Sequence, residues 1–313
     1  VVDGFFVSNY AGDIPFKAVN LIMPFLMIVA TVGFMFGTGG TAIVANTLGV
    51  GDHEKANRYF SLFVYVTFTL GVIFAVLAFA FMRPIAELLG AKGEILECCV
   101  LYGRIVTGFT FAFMLQNVFQ SFLITAEKPH FGLGVTVAAG LTNIILDFLF
   151  IAVFRWGVAG AAIATAASQF VGGGVPLLYF ARPNRSLLRL GKTKLDSRAL
   201  LKACTNGSSE LMTNLSSSLV TVLYNFQLMQ LAGEDGIAAY GVIMYVNFIF
   251  IAIFIGYSIG SAPVVGYHHG AGNSTELKSL FRKSLLLVGA AGVALTVAAE
   301  ALALPLTKIF VGY

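Results

Sequence analysis

Charge is what this chain has least of. Asp, Glu, Lys and Arg make up 11% of its 313 residues, where a soluble domain carries about 25%. Hydrophobic residues supply 58%, and mean hydropathy is +0.87. So little charge excludes a chain whose surface is mostly in water. Cysteine is nearly absent: Cys98 and Cys99 are adjacent and Cys204 stands alone. That pattern suits neither a zinc site nor a disulfide framework, so the three read as small apolar-like residues in helices. The glycine-rich stretches Gly37-Thr38-Gly39-Gly40 and Gly172-Gly173-Gly174 lack the Lys-Ser/Thr ending of a phosphate loop. They suit close helix packing or bending. No nucleophile with its base, no metal cluster and no separate ligand domain is visible, so the chain is not expected to be an enzyme and no bound cofactor is implied.

What it has in abundance is long apolar runs. They cover 17–48, 59–82, 96–125, 132–154, 157–181, 204–232, 237–266 and 280–304. Each can cross a bilayer, which takes roughly 20 residues, and each must be helical to satisfy its backbone in lipid. The chain is therefore predicted to be an all-α, multi-pass membrane protein with eight complete helices. The stretch from Arg182 to Arg198 holds six cations against Asp196 and is placed in the cytoplasm by the positive-inside rule. Counting outward from it puts 49–58, 126–131 and 267–279 inside. The outside receives 84–95, the turn Arg155-Trp156-Gly157 and the acidic turn Gly233-Glu234-Asp235-Gly236. This asymmetry accounts for the net charge of +4, with no nucleic-acid partner required. The four histidines, His53, His130, His268 and His269, all fall in loops predicted to be cytoplasmic and read as solvated.

The sequence also repeats. Shifted by 221 residues, Gly12 meets Gly233, Gly39 meets Gly260, Gly49 and Gly51 meet Gly270 and Gly272, and Pro84 meets Pro305. An offset of that size holds about six spans. An even number makes both copies enter the membrane from the same side, related by an axis along the membrane normal. The expected organisation is an N-lobe over 1–181, a basic cytoplasmic linker over 182–203 and a partial C-lobe over 204–313. By this alignment residues 1–12 match the outer end of a helix and Tyr313 matches Lys92. The chain is then expected to be an internal piece of a twelve-helix protein, without most of the first helix and the last three.

Few polar groups lie deep in the runs, and an intramembrane acid is costly enough to suggest function. Asp147 lies about 11 Å below the outer end of its helix, with Asn143 one turn before it. Asp3, whose repeat partner is Tyr224, lies about 13 Å down, and Thr165 about 12 Å. Two carboxylates, an amide and a hydroxyl at one depth could hold a proton or a sodium ion, the sodium at Asp3, Asn143 and Asp147. They could instead tie helices together by hydrogen bonds. Gln116, Asn117 and Gln120 cluster on one run and are candidates for lining a cavity or for gluing helices, and Tyr224 is a further cavity-lining candidate. Glu210 and Glu300 sit near helix ends, where a side chain can reach the interface.

These residues resemble those of the MATE (multidrug and toxic compound extrusion) transporters. Val2-Asp3-Gly4-Phe5-Phe6-Val7, followed by Gly12 and Ala18, looks like the end of that family's first helix. Gly39, Ala45, Gly49, Gly51 and Lys55-Ala56 look like its second helix and following loop. Thr142-Asn143-Ile144-Ile145-Leu146-Asp147 resembles the fifth-helix motif, and the run from Gly157 to Thr165 resembles the sixth. The resemblance implies two six-helix lobes, alternating access, and export driven by proton or sodium entry. It implies a coupling-cation cluster at Asp3, Asn143, Asp147 and Thr165. Tyr224 replaces an acid at the repeat position of Asp3, and Glu210 does not align with the acidic C-lobe site of one branch, so ion binding in the C-lobe is not expected.

The expected function is a monomeric, cation-coupled antiporter in the bacterial cytoplasmic membrane. Its partners would be the lipid bilayer and small organic, cationic and amphipathic compounds. A lipid-linked oligosaccharide flippase of the same superfamily is one alternative, disfavoured by the scarcity of intramembrane Arg and Lys. A membrane-embedded enzyme or sensor is the other.

Overall fold

A computed structural model describes the backbone of residues 2–311. Side chains are described except at residues 1–3, 24, most of 214–249 and 302–313. Among the described residues the regular structure is helical throughout. In chain order the helices are α1 (Val2–Phe6), α2 (Asp13–Gly49), α3 (His53–Leu88), α4 (Gly93–Gly108), α5 (Thr110–Thr125), α6 (Pro129–Asp147), α7 (Gly157–Ala181), α8 (Ser197–Gly270) and α9 (Ser274–Val311). Two π-helical segments interrupt the pattern, Val7–Ala11 and Phe148–Val153. Six helices among the described residues are long and apolar enough to cross a membrane, or seven counting α4 and α5 as one bent span. These match seven of the eight predicted runs. The eighth, 204–232, falls within α8, where many side chains lie outside the described residues.

One predicted feature differs from the structure. The run 96–125 is not one helix: α4 and α5 meet at Phe109 with a bend of 54°. Gly108 supplies little helix propensity there, and the Thr107 hydroxyl donates back to the Gly103 carbonyl at 2.6 Å, a pattern that bends helices. The predicted acidic outer turn, Gly233-Glu234-Asp235-Gly236, lies outside the fully described residues.

The chain divides into two compact units, residues 1–44 with 52–211, and residues 45–51 with 212–313. In the first, α3 packs on α4 and α5, and α7 packs on α4, α5 and α6. Helices in lipid gain nothing hydrophobic from meeting, so close van der Waals approach must hold them. That is why α7 buries Ala161, Ala162, Ala164, Gly172 and Gly173. A Cβ at Gly173 would overlap the Ala112 carbonyl oxygen of α5. A core of Val7, Ile22, Met82, Tyr102, Ile151 and Ala161 fills one end of the unit. Aromatic rings fill another part: Phe60 meets Phe122 at 5.0 Å and Phe180 at 4.9 Å, and Phe119 stacks on Phe180 at 5.6 Å. Large apolar side chains on α3, among them Val76, Phe79 and Phe81, are left exposed, as lipid-facing positions should be.

The basic linker is not a loose loop at its start. The Asn57 carboxamide oxygen accepts the Arg189 amide at 2.6 Å, and Ser61 Oγ accepts the Gly191 amide at 3.0 Å. Thr193 donates its hydroxyl to the Arg58 carbonyl at 2.9 Å, and Leu188 is fully buried. The segment is thus a strap fastened to the start of α3. At its far end Asp196 accepts the Arg198 and Ala199 amides, capping α8.

The repeat leaves a mark on local geometry. Gly51 and its repeat partner Gly272 both take positive φ, 91° and 68°, which favours glycine. The next residues, Asp52 and Asn273, each cap a helix by accepting the amide three residues on, at 3.0 and 3.1 Å. Within the second unit, a Cβ at Gly49 would overlap the Tyr267 carbonyl oxygen, and one at Gly270 would overlap that of Asn46. Asn46 and Tyr267 are themselves repeat partners.

Candidate functional site

Asp147 is the last residue of α6 and is completely buried. The backbone changes there from α- to π-helix. A π turn costs stability and often marks a functional position. Ile151, one turn further, is also fully buried and belongs to the core that holds Tyr102. Asp147 and Ile151 therefore share the inward side of this helix, and Phe148 between them is exposed. The Arg155-Trp156-Gly157 turn beyond closes as predicted, with the Trp156 ring stacked on Phe150 at 4.9 Å and Gly160 of α7 packed against the Phe150 side chain.

The helix carrying Asp3 lies against this segment. α1 packs on α6 and on the π-helical segment that follows Asp147, and the two π-helical segments touch each other. Phe6, one turn after Asp3, faces Phe148 edge-on at 6.4 Å between ring centres. Asp3 itself lies outside the residues whose side chains are described. The structure thus brings the two acid-bearing helices together.

Asn143, one turn before Asp147, is half-buried, and so is Thr165 on the neighbouring α7. The Thr165 carbonyl accepts the Ser168 hydroxyl at 2.9 Å. On α5 the three amides separate. Asn117 is buried and donates to the Ala30 carbonyl of α2 at 3.5 Å, which ties two helices. Gln116 is half-buried against Gly172 of α7, and Gln120 is half-buried. Tyr224, in the second unit, is 54% exposed. Among the described residues no three His, Cys, Asp or Glu side chains gather as metal ligands.

Among the buried polar residues that the sequence reading passed over, two bear on the candidate site. Gln169 sits one turn beyond Thr165 on α7, 7% exposed, and no described group donates to its Oε1. Its four-residue spacing from Thr165 was the available signal. Tyr102 is fully buried in the core beside Ile151. Nothing in its apolar neighbourhood distinguishes it in the sequence.

With this geometry in view, comparison with known proteins is decisive about kinship. A family model for MatE matches residues 1–149 and 211–313. The chain belongs to the MatE family. Among curated MatE relatives, the "Multidrug export protein MepA" of Staphylococcus haemolyticus is 27% identical over 283 residues, covering 90% of this chain and 62% of that protein. MepA of Staphylococcus aureus strain MRSA252 is 25% identical over 303 residues, covering 92% and 64%. The chain thus spans less than two-thirds of the length of these relatives. Solved structures share the fold. A MATE protein in the bent conformation superposes with a TM-score of 0.92 at 22% identity, covering 99% of this chain and 69% of the other. An outward-facing multidrug resistance MATE transporter of the MOP superfamily gives 0.92, also at 22% identity, with the same coverage. A MOP transporter of Pyrococcus furiosus, described as having a binding pocket of reverse polarity and a different function, gives 0.91 at 22% identity, again covering 99% and 69%. That last neighbour shows why shared architecture does not settle what is moved. Family membership, helical architecture and multi-pass membrane placement stand, and MatE proteins are transporters rather than enzymes.

Proposed function

We propose that the protein exports organic, cationic and amphipathic compounds across the bacterial cytoplasmic membrane, driven by entry of a proton or a sodium ion. The observation that carries this reading is Asp147, a fully buried carboxylate at the α-to-π transition of an apolar helix. A carboxylate in such surroundings is tolerated when it is protonated, paired or bound to a cation. Asp3, on the adjoining helix, would supply the second oxygen set, with Asn143 and Thr165 as neutral ligands. Cation binding there would bias the first unit toward one facing state, and the exported compound would favour the other. That difference in affinity is what couples the two gradients. The printed function of the MepA relatives, multidrug export, supports the substrate class. The proton is the preferred coupling ion.

The test is transport of a fluorescent organic cation by the full-length protein in everted vesicles, with imposed proton or sodium gradients. Asp147→Asn is expected to abolish gradient-driven transport while the protein remains in the membrane at normal abundance. Undiminished transport by that variant would overturn the proposal.

A further inference from the structure

Where α7 ends and the strap begins, a cleft of about 450 Å³ opens between the ends of α6 and α7. Its floor is one face of α7. Val175, Leu178 and Arg182 line it at the three- and seven-residue spacings that share a helix side. Val175 and Leu178 are left 40% and 57% exposed. One wall is made by Phe131 of α6 against Tyr179, with ring centres 4.7 Å apart. Tyr179 is held in turn by Phe180, 5.2 Å away and buried in the aromatic core. The mouth carries two cations, Arg182 and Arg185. Among the described residues neither has a carboxylate partner. The ion pairs among those residues lie elsewhere, between Arg58 and Glu54 and between Arg83 and Glu97.

The two chemistries are stacked along the membrane normal. Val175 lies about 10 Å deeper than Arg182 along the helix axis. A ligand filling the cleft must therefore be apolar at one end and anionic at the other. Its apolar end must enter from the side, where α7 faces lipid. A soluble anion would leave Val175 and Leu178 unused, and a neutral lipid would leave both guanidinium groups without a partner. Guanidinium forks match phosphate oxygens in pairs, and basic pockets between helices on the cytoplasmic face suit anionic headgroups. We infer that this cleft is a binding site for an anionic phospholipid of the cytoplasmic leaflet, its phosphate held by Arg182 and Arg185 and its first acyl carbons lying over Leu178 and Val175. Occupancy would fasten the end of α7, and the strap joined to it, to the membrane surface. This is independent of the coupling site at Asp147.

The experiment uses the full-length protein in phosphatidylcholine nanodiscs containing a minor fraction of photoactivatable phosphatidylglycerol, with crosslinks mapped by mass spectrometry. The wild type is expected to crosslink within residues 129–133 and 175–185. Arg182→Gln with Arg185→Gln should reduce that signal about 30-fold, the effect of two surface cations at about fivefold each. Lys192→Gln with Lys194→Gln removes equal charge from the same strap outside the cleft and should leave the signal unchanged. Should the double variant not fold, Arg185→Gln alone, beyond the end of α7, should still lower crosslinking several-fold. Equal crosslinking in wild type and the arginine variants would overturn the inference. So would loss of the signal on adding millimolar inorganic phosphate, since the site would then be one for free phosphate.

Discussion

Replacing Phe180 with alanine removes the ring that joins three helices. Phe180 is 1% exposed. Its ring centre lies 4.9 Å from Phe60 of α3, 5.6 Å from Phe119 of α5 and 5.2 Å from its neighbour Tyr179. Truncating a buried phenylalanine costs about 3–5 kcal/mol, from lost contacts and from the cavity left behind. The upper half of that range is expected here, because each aromatic pair adds about 0.5–1.5 kcal/mol beyond its buried area. The Phe180 carbonyl also accepts the Leu190 amide at 3.1 Å, so a shifted α7 would disturb the strap as well. Reversible unfolding in mixed detergent micelles measures the effect. Phe180→Leu, which keeps most of the volume, should lose about 1.5 kcal/mol or less. Leu178→Ala, on the exposed side of the same turn, should stay within about 0.5 kcal/mol of wild type. If Phe180→Ala is no less stable than Leu178→Ala, the aromatic core does not hold α3, α5 and α7 together.

Other consequences are open to simple measurement. Gly173→Leu forces a side chain into the Ala112 carbonyl and should destabilise by about 2–3 kcal/mol, whereas Gly174→Leu, which faces only Phe170 of its own helix at an ordinary 3.6 Å, should be tolerated; thermal melts of the two variants make the comparison. Asn57→Ala removes the acceptor of the Arg189 amide and the donor to the Leu187 carbonyl at 3.4 Å. The strap should open more often by about 1–2 kcal/mol, and trypsin should cut after Arg189 roughly 5–30 times faster. An unchanged digestion rate would mean that these bonds do not fasten it.

How far the sequence reached depended on how local each feature is. Hydropathy marked seven spans that the structure contains, because the bilayer fixes the length and polarity of a helix without reference to its neighbours. The Gly49–Asp52 turn was visible for a similar reason: Gly51 and Asp52 recur as Gly272 and Asn273 with the same backbone and cap. Features set by distant partners were not legible. The bend at Phe109 lies between two helices that both pack on α7. The π turn after Asp147 has no signature in Phe148-Leu149-Phe150. The strap looked like a plain basic linker, since Asn57 and Ser61, which tie it down, lie some 130 residues away in sequence. At the candidate site, spacing singled out Asp147 and placed Asn143 beside it. It passed over Gln169, whose four-residue spacing from Thr165 was the available signal, and Tyr102, whose burial is a property of the folded bundle alone.

The central claim is that Asp147 exchanges a cation when cargo binds. The most direct measurement is proton release from the full-length, detergent-solubilised protein when an organic cation is added, followed with a pH indicator in weak buffer and repeated with sodium present. Stoichiometric release by the wild type at low sodium, lost in Asp147→Asn with cargo binding retained, is the predicted result. Cargo binding without release of a proton or displacement of sodium in the wild type, or equal release by the Asp147→Asn variant, would contradict it.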